Sequence, residues 1–93
     1  MTAKTDWQAA RDAVAAYHEA ELARLVAHVA SAVDQFRSGE LDAFEADHAI
    51  FQYSRSAKAL WKFCNLGDPQ LTAALISDRP TVDWWQRGAP KEP

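Results

Sequence analysis

The sequence predicts an all-α protein: a long antiparallel helical hairpin plus a short third helix, dimerising as a four-helix bundle. Glycine and proline are absent from residues 6–36, a stretch rich in alanine, which is the best helix former. Apolar residues in that stretch recur at spacings of three and four, the period of a helix rather than a strand. Gly39, Gly67 and the pair Asp68-Pro69 fall where helices would end or begin.

The first helix is predicted from about Trp7 to Phe36, with Thr5 or Asp6 as its N-cap. Gly39 suits the left-handed position that follows a helix. The loop around Gly39 is short, and two helices that are linked by a short loop lie antiparallel.

The second helix is predicted from about Ala43 to Asn65. Asp42 and Glu45 have the spacing of a capping box, and Gly67 is predicted as the left-handed glycine beyond the helix end. Its apolar sector is too wide for one partner helix. On a helical wheel this sector is centred on Leu41, Ile50, Tyr53, Ala57, Leu60 and Phe63, and the opposite, polar face includes Gln52, Arg55 and Ser56.

The third helix starts with Asp68 as N-cap and Pro69 in the first turn. It spans about residues 70–77, has Leu71, Ala74 and Leu75 on one side, and ends at Pro80. The chain thus divides into residues 1–79, the hairpin with its short third helix, and residues 80–93, an aromatic and proline-rich tail with room for one more helical turn.

The wide apolar sector of the second helix requires more cover than the first helix provides. A dimer of hairpins supplies that cover, and it is the expected assembly. Two alternatives stay open: the third helix and the Trp84-Trp85 tail close a monomer, or a different protein completes the bundle.

Composition excludes several classes of function. A net charge of −3 argues against a general nucleic-acid binder, and a single cysteine excludes a disulfide framework. No apolar run is long enough to span a membrane and no secretory signal is visible, so a cytoplasmic protein is expected. The chain lacks GxSxG, P-loop and GxGxxG motifs, which favours a non-catalytic role.

Two pairs of histidine and glutamate are the residues of the sequence that most suggest a chemically active site. His18 and Glu21 lie three residues apart on the first helix, and Glu45 and His48 on the second. The tetrapeptide from Glu45 to His48 resembles the Glu-x-x-His ligand pair of di-iron carboxylate bundles. In an antiparallel dimer the two pairs reach the same height, where they form either a site for Fe, Zn or Mn or a metal-free polar layer. A third interpretation is that they are capping or exposed residues without mutual contact.

The remaining candidates are sites of partner binding. Trp84 and Trp85 either pin the tail to the helices or anchor in a groove of a partner. A basic stripe, formed by Arg55, Lys58 and Lys62, is either a solvated helix face or a docking surface for an acidic partner. Cys64 is predicted to be a buried small hydrophobe.

These observations predict a small helical interaction or scaffold protein that acts as a homo-oligomer. One alternative is a metal-binding helical bundle with Glu and His ligands. Another is a regulatory or antitoxin-like partner of a larger protein.

Overall fold

The computed structural model describes residues 3–78 and 82–91. These residues form four helices and no strand, which confirms the all-α fold class. None of the described helices combines the length and the apolar character needed to cross a membrane. The helices are α1 (Ala3–Ser38), α2 (Ala43–Asn65), α3 (Pro69–Asp78) and α4 (Trp84–Arg87).

α1 extends beyond its predicted limits at both ends. It begins at Ala3, so Asp6 lies in the first turn rather than at the N-cap, because Ala3 and Lys4 are themselves good helix formers. There the carboxylate of Asp6 interacts favourably with the positive end of the helix dipole. The helix runs to Ser38 and ends at Gly39, whose φ of 86° confirms the predicted left-handed glycine.

α2 begins and ends at the predicted residues. The backbone N–H of Glu45 donates to Asp42 Oδ1 (2.8 Å), and that of Asp42 donates to Glu45 Oε1 (3.0 Å), so the predicted capping box is present. The prediction of a left-handed Gly67 is wrong. The chain leaves α2 through Leu66 in a right-handed conformation, and Gly67 instead lies against Thr72, whose Oγ1 would be 3.2 Å from an added Cβ.

α3 has the predicted start, with Asp68 Oδ1 accepting from the backbone N–H of Gln70 (2.9 Å). Its predicted end at Pro80 lies outside the described residues. The predicted apolar side is not the side that packs, because Leu71 is 60% exposed. Thr72, Ala73 and Ile76 face the core instead, and the two smaller side chains let α3 approach closely.

α4 docks onto the hairpin, as predicted for the tail. Trp84 is 6% exposed, and its Nε1–H donates to Tyr17 Oη (2.7 Å). The Trp85 ring stacks on His28, with ring centroids 4.2 Å apart. The hydrophobic core lies where α4 and the three longer helices meet, and its buried members are Val14, Leu25, Leu60, Cys64 and Trp84.

The part of the hairpin nearest the Gly39 turn has no such core. Within residues 26–55, which we call the arm, Ala32 is the only buried residue. The radius of gyration is 16.3 Å, whereas a compact chain of this length has about 12 Å. The molecule is therefore elongated, with a compact end and a two-helix arm.

Candidate functional site

One side of the hairpin carries a row of apolar side chains that the described elements cover only in part; Leu22 and Ala57 also pack against the core. On α1 these residues recur at helical spacing, as they do on α2. Val26, Ile50 and Trp61 are 50%, 48% and 51% exposed, and the others are half-buried. We call this row the open face; its residues are Leu22, Val26, Val29 and Val33 on α1 and Ile50, Ala57 and Trp61 on α2.

The open face lies on the side of the hairpin opposite α4. His28, Gln52 and Phe63 contact the tryptophans of α4. Val26, Ile50 and Trp61 each lie two residues before one of these contacts. Two residues correspond to about 200° of rotation round a helix, so Val26, Ile50 and Trp61 point about 160° away from these contacts with α4.

Charged residues border the open face in a regular order. On α1, Glu19 and Arg37 lie nine residues before and after His28. On α2, Asp47 and Lys58 lie five residues before and six residues after Gln52. His28 and Gln52 both contact Trp85, so they stand at one level of the hairpin.

All four of these charged side chains are exposed. Within the described residues none of them makes an ion pair, since the ion pair found there joins Arg24 to Glu21. Each helix therefore presents one free acid and one free base, at opposite ends of the open face.

A cavity of about 330 Å³ lies on the other side of the hairpin, between α1 and the chain that leads into α4. Glu21, Arg24 and His28 line it from α1, and Val82, Trp84 and Trp85 line it from the tail. Glu21 is only 8% exposed, and Arg24 Nε stands 3.5 Å from its Oε2. The cavity is thus lined by a buried carboxylate on α1 and by tryptophan rings of the tail.

The docking of α4 that places these rings there depends on polar contacts with α2. The backbone carbonyl of Trp85 accepts hydrogen bonds from Gln52 Nε2 (2.9 Å) and Ser56 Oγ (3.1 Å). Arg55 Nε donates to the carbonyl oxygen of Gly88 (2.6 Å). The helical wheel places Gln52, Arg55 and Ser56 on the polar face opposite the apolar sector, and in the fold these polar side chains bind the backbone of α4.

The low polarity of the core raises the pKa of two titratable groups, Tyr17 and Cys64. Burial is the main reason that the pKa of Tyr17 is raised above 10.0; the nearby Glu21 carboxylate adds to the shift, and the hydrogen bond from Trp84 opposes it. Burial raises the pKa of Cys64 to about 11. The prediction that Cys64 is a buried small hydrophobe is thereby confirmed.

The four predicted metal ligands do not come together within one chain. Glu45 is engaged in the capping box, and Glu21 lines the cavity beside Arg24. His18 lines a different cavity, of about 240 Å³, at the connection between α2 and α3. His48 is exposed. In the described residues no group of three or more His, Cys, Asp and Glu side chains is placed to hold a metal ion. A metal site from these residues stays a prediction that needs two chains.

The predicted partner-binding residues are divided by the fold. Trp84 and Trp85 pack against their own chain, and Arg55 binds the end of α4. Lys58 and Lys62 are exposed on α2 and have no ion-pair partner in the described part of the chain. Their role in binding a partner stays a prediction.

Sequence reasoning did not find the cavity or the role of His28. The cavity is formed by residues about sixty positions apart, and only the docked α4 brings them together. Comparisons with models of protein families, with curated proteins and with solved structures found no match to this chain. Function is therefore inferred from the geometry and chemistry of the chain itself.

Proposed function

We propose that the chain is a non-catalytic interaction or scaffold protein that works as a homodimer, with the open faces of two hairpins packed into a four-helix bundle. The observation that carries this proposal is the open face, whose apolar side chains run along the arm and onto the compact end of the hairpin. Burying a side chain that is half exposed, such as Val26 or Ile50, contributes about 1 kcal/mol. Burial of the whole row would therefore stabilise the dimer strongly.

The area of the molecule supports pairing. The chain exposes 6826 Å², whereas a compact monomer of 10.4 kDa exposes roughly 5,400 Å². The excess of about 1,400 Å² exceeds the roughly 800 Å² that each partner buries in a standard interface. A second copy can therefore cover the arm without unfolding any part of the chain.

The charged border of the open face is self-complementary in an antiparallel arrangement of the two copies, the arrangement that we propose. A two-fold axis at the level of His28 and Gln52 sets each helix antiparallel to its own copy. Glu19 then faces Arg37 of the second copy, and Asp47 faces Lys58 of the second copy. In a parallel two-fold arrangement α1 would instead face α2 of the second copy, with Glu19 near Lys58 and Arg37 near Asp47, so the Glu19–Arg37 pairing distinguishes the two arrangements.

The two alternative functions predict different uses of the open face. The metal-binding alternative, with Fe, Zn or Mn, needs ligands from two chains. His48 lies two residues before Ile50 and points about 160° away from it, so a metal site at His48 requires a different interface. A regulatory or antitoxin-like role predicts that the open face is reserved for a larger protein, so the isolated chain would be monomeric.

Substitution of Val26 tests the proposed interface. We expect Val26→Glu to reduce the dimer to a monomer, because it places a charge in the centre of the apolar row. Ala27→Glu is the matched control, since Ala27 is exposed and points about 100° away on the same helix turn. Sedimentation velocity should show half the wild-type mass for the first variant only. Equal masses for both folded variants would contradict the proposal.

Charge reversal tests the antiparallel arrangement. Glu19→Lys should weaken the dimer several-fold, because two like-charged pairs replace two attractive ones, each worth up to about 1 kcal/mol. Adding Arg37→Glu to the same chain should restore the affinity. If the double variant dimerises more weakly than Glu19→Lys alone, the two residues do not face each other.

A further inference from the structure

The cavity beside Trp84 contains an acid whose acceptor capacity is not filled. A carboxylate accepts up to about four hydrogen bonds, but among the described residues Glu21 has only Arg24 Nε at 3.5 Å. The Arg24 side chain is 73% exposed, so it remains largely in water. Glu21 therefore presents free acceptor positions in a setting that is nine-tenths buried.

The other walls of the cavity suit the hydrocarbon part of a ligand. Leu25 from α1 and Val82 and Trp84 from the tail supply its apolar lining. His28 holds the Trp85 ring by a nearly parallel stack, with an interplanar angle of 4°. At about 330 Å³, the cavity is at the small end of the range of roughly 300 to 1,000 Å³ found for ligand pockets.

We propose that this cavity binds a small primary amine, whose ammonium group pairs with Glu21 and whose hydrocarbon part lies against Leu25, Val82 and Trp84. Two carboxylates, Glu21 and Asp83, and one guanidinium, Arg24, line the cavity, so its net charge favours a cation. Arg24 competes for Glu21 through one long contact, and a bound ammonium replaces that contact with shorter ones. This site is on the side of the hairpin opposite the open face, so it is independent of dimerisation.

Three ligands of one shape test the proposal on the wild-type chain. Phenethylamine, phenethyl alcohol and phenylpropionate carry an ammonium, a hydroxyl and a carboxylate on the same phenylethyl group. We expect calorimetry to show the amine binding at least about tenfold more tightly than the alcohol, because only the amine forms a charge-assisted contact. In NMR spectra the indole N–H signals of Trp84 and Trp85 should shift, and those of Trp7 and Trp61 should not.

Variants identify the carboxylate responsible. Glu21→Gln should weaken amine binding at least about tenfold, whereas Asp34→Asn, which removes the same charge from an exposed position of α1, should not change it. Arg24→Ala should keep or increase the affinity.

Several results would overturn the proposal. They are the absence of saturable amine binding, equal binding of the alcohol, tighter binding of the carboxylate, and indole shifts confined to Trp7 and Trp61. Should Glu21→Gln fail to fold, the comparison of the three ligands on the wild-type chain decides the question.

Discussion

Glycine is required at position 88 because α4 packs closely against α2 there, and not because the backbone dihedral angles demand it. Its φ is −94°, which any residue adopts. A Cβ at this position would stand 2.5 Å from Ser56 N and 2.6 Å from the carbonyl oxygen of Gln52. Only a residue without a side chain therefore lets the end of α4 lie directly on α2.

Replacement of Gly88 by alanine should release this contact. We expect Gly88→Ala to lower the free energy of unfolding by on the order of 3 kcal/mol, because backbone atoms of α2 cannot move aside. Gly39→Ala is the control: its φ of 86° carries a backbone cost of about 1 to 2 kcal/mol, but its Cβ meets nothing within 4 Å. Urea unfolding should show a larger loss in the free energy of unfolding for Gly88→Ala than for Gly39→Ala. A smaller loss for Gly88→Ala would show that α4 is not held at this point.

Cys64 makes stability depend on alkaline pH. Its pKa is raised from 9.0 to about 11 by burial, so the unfolded chain loses the thiol proton first as pH rises. The stabilisation is complete below pH 9 and is lost as pH approaches and passes 11. We expect Cys64→Ala to flatten the decline in the free energy of unfolding over this pH range, with the remaining decline due partly to Tyr17. An unchanged slope in Cys64→Ala would contradict this assignment.

The polar residues of α2 show where sequence patterns mislead at the residue scale. The helical wheel places Gln52 and Ser56 on the polar face of α2, opposite its apolar sector. In the fold they bind a backbone carbonyl of α4, and Ser56 is fully buried. A surface that binds another segment by hydrogen bonds is polar, and polarity alone does not distinguish such a surface from one that faces water.

At the scale of elements, the bounds of α2 are predicted because their signals are local. The capping box at Asp42 and the end near Asn65 depend on residues within one or two turns. The start of α1 is missed because helix formers continue past the predicted cap. The rotation of α3 is missed because it depends on which side chains let the helix approach α1, and Thr72 and Ala73 are smaller than Leu71.

α4 should contribute measurably to the stability of the whole fold. Trp84 joins Tyr17 and Phe63 in the core, and burying such a ring contributes about 2 to 3 kcal/mol before the cost of ordering the tail. We therefore expect truncation after Arg79, and also Trp84→Ala, to lower the thermal midpoint by several degrees. The matched control is Trp7→Ala, which removes the same ring from an exposed position on α1. Equal midpoints for the truncated and full-length chains would show that the tail does not stabilise the hairpin.

At the scale of the molecule, the elongated shape follows from an unequal distribution of large side chains. The core ends near Leu25 on α1 and Ser56 on α2, and beyond it the arm buries only Ala32. The width of the apolar sector on α2 predicts from sequence that the hairpin needs a further partner. The sequence does not predict which side remains uncovered, because that depends on where α4 docks.

The central claim is that a second copy of the chain covers the open face. Light scattering during size-exclusion chromatography of the wild-type chain tests it most directly. We expect a mass of twice 10.4 kDa, together with a thermal midpoint that rises with protein concentration. A mass of 10.4 kDa at every accessible concentration, with a midpoint independent of concentration, would contradict the account.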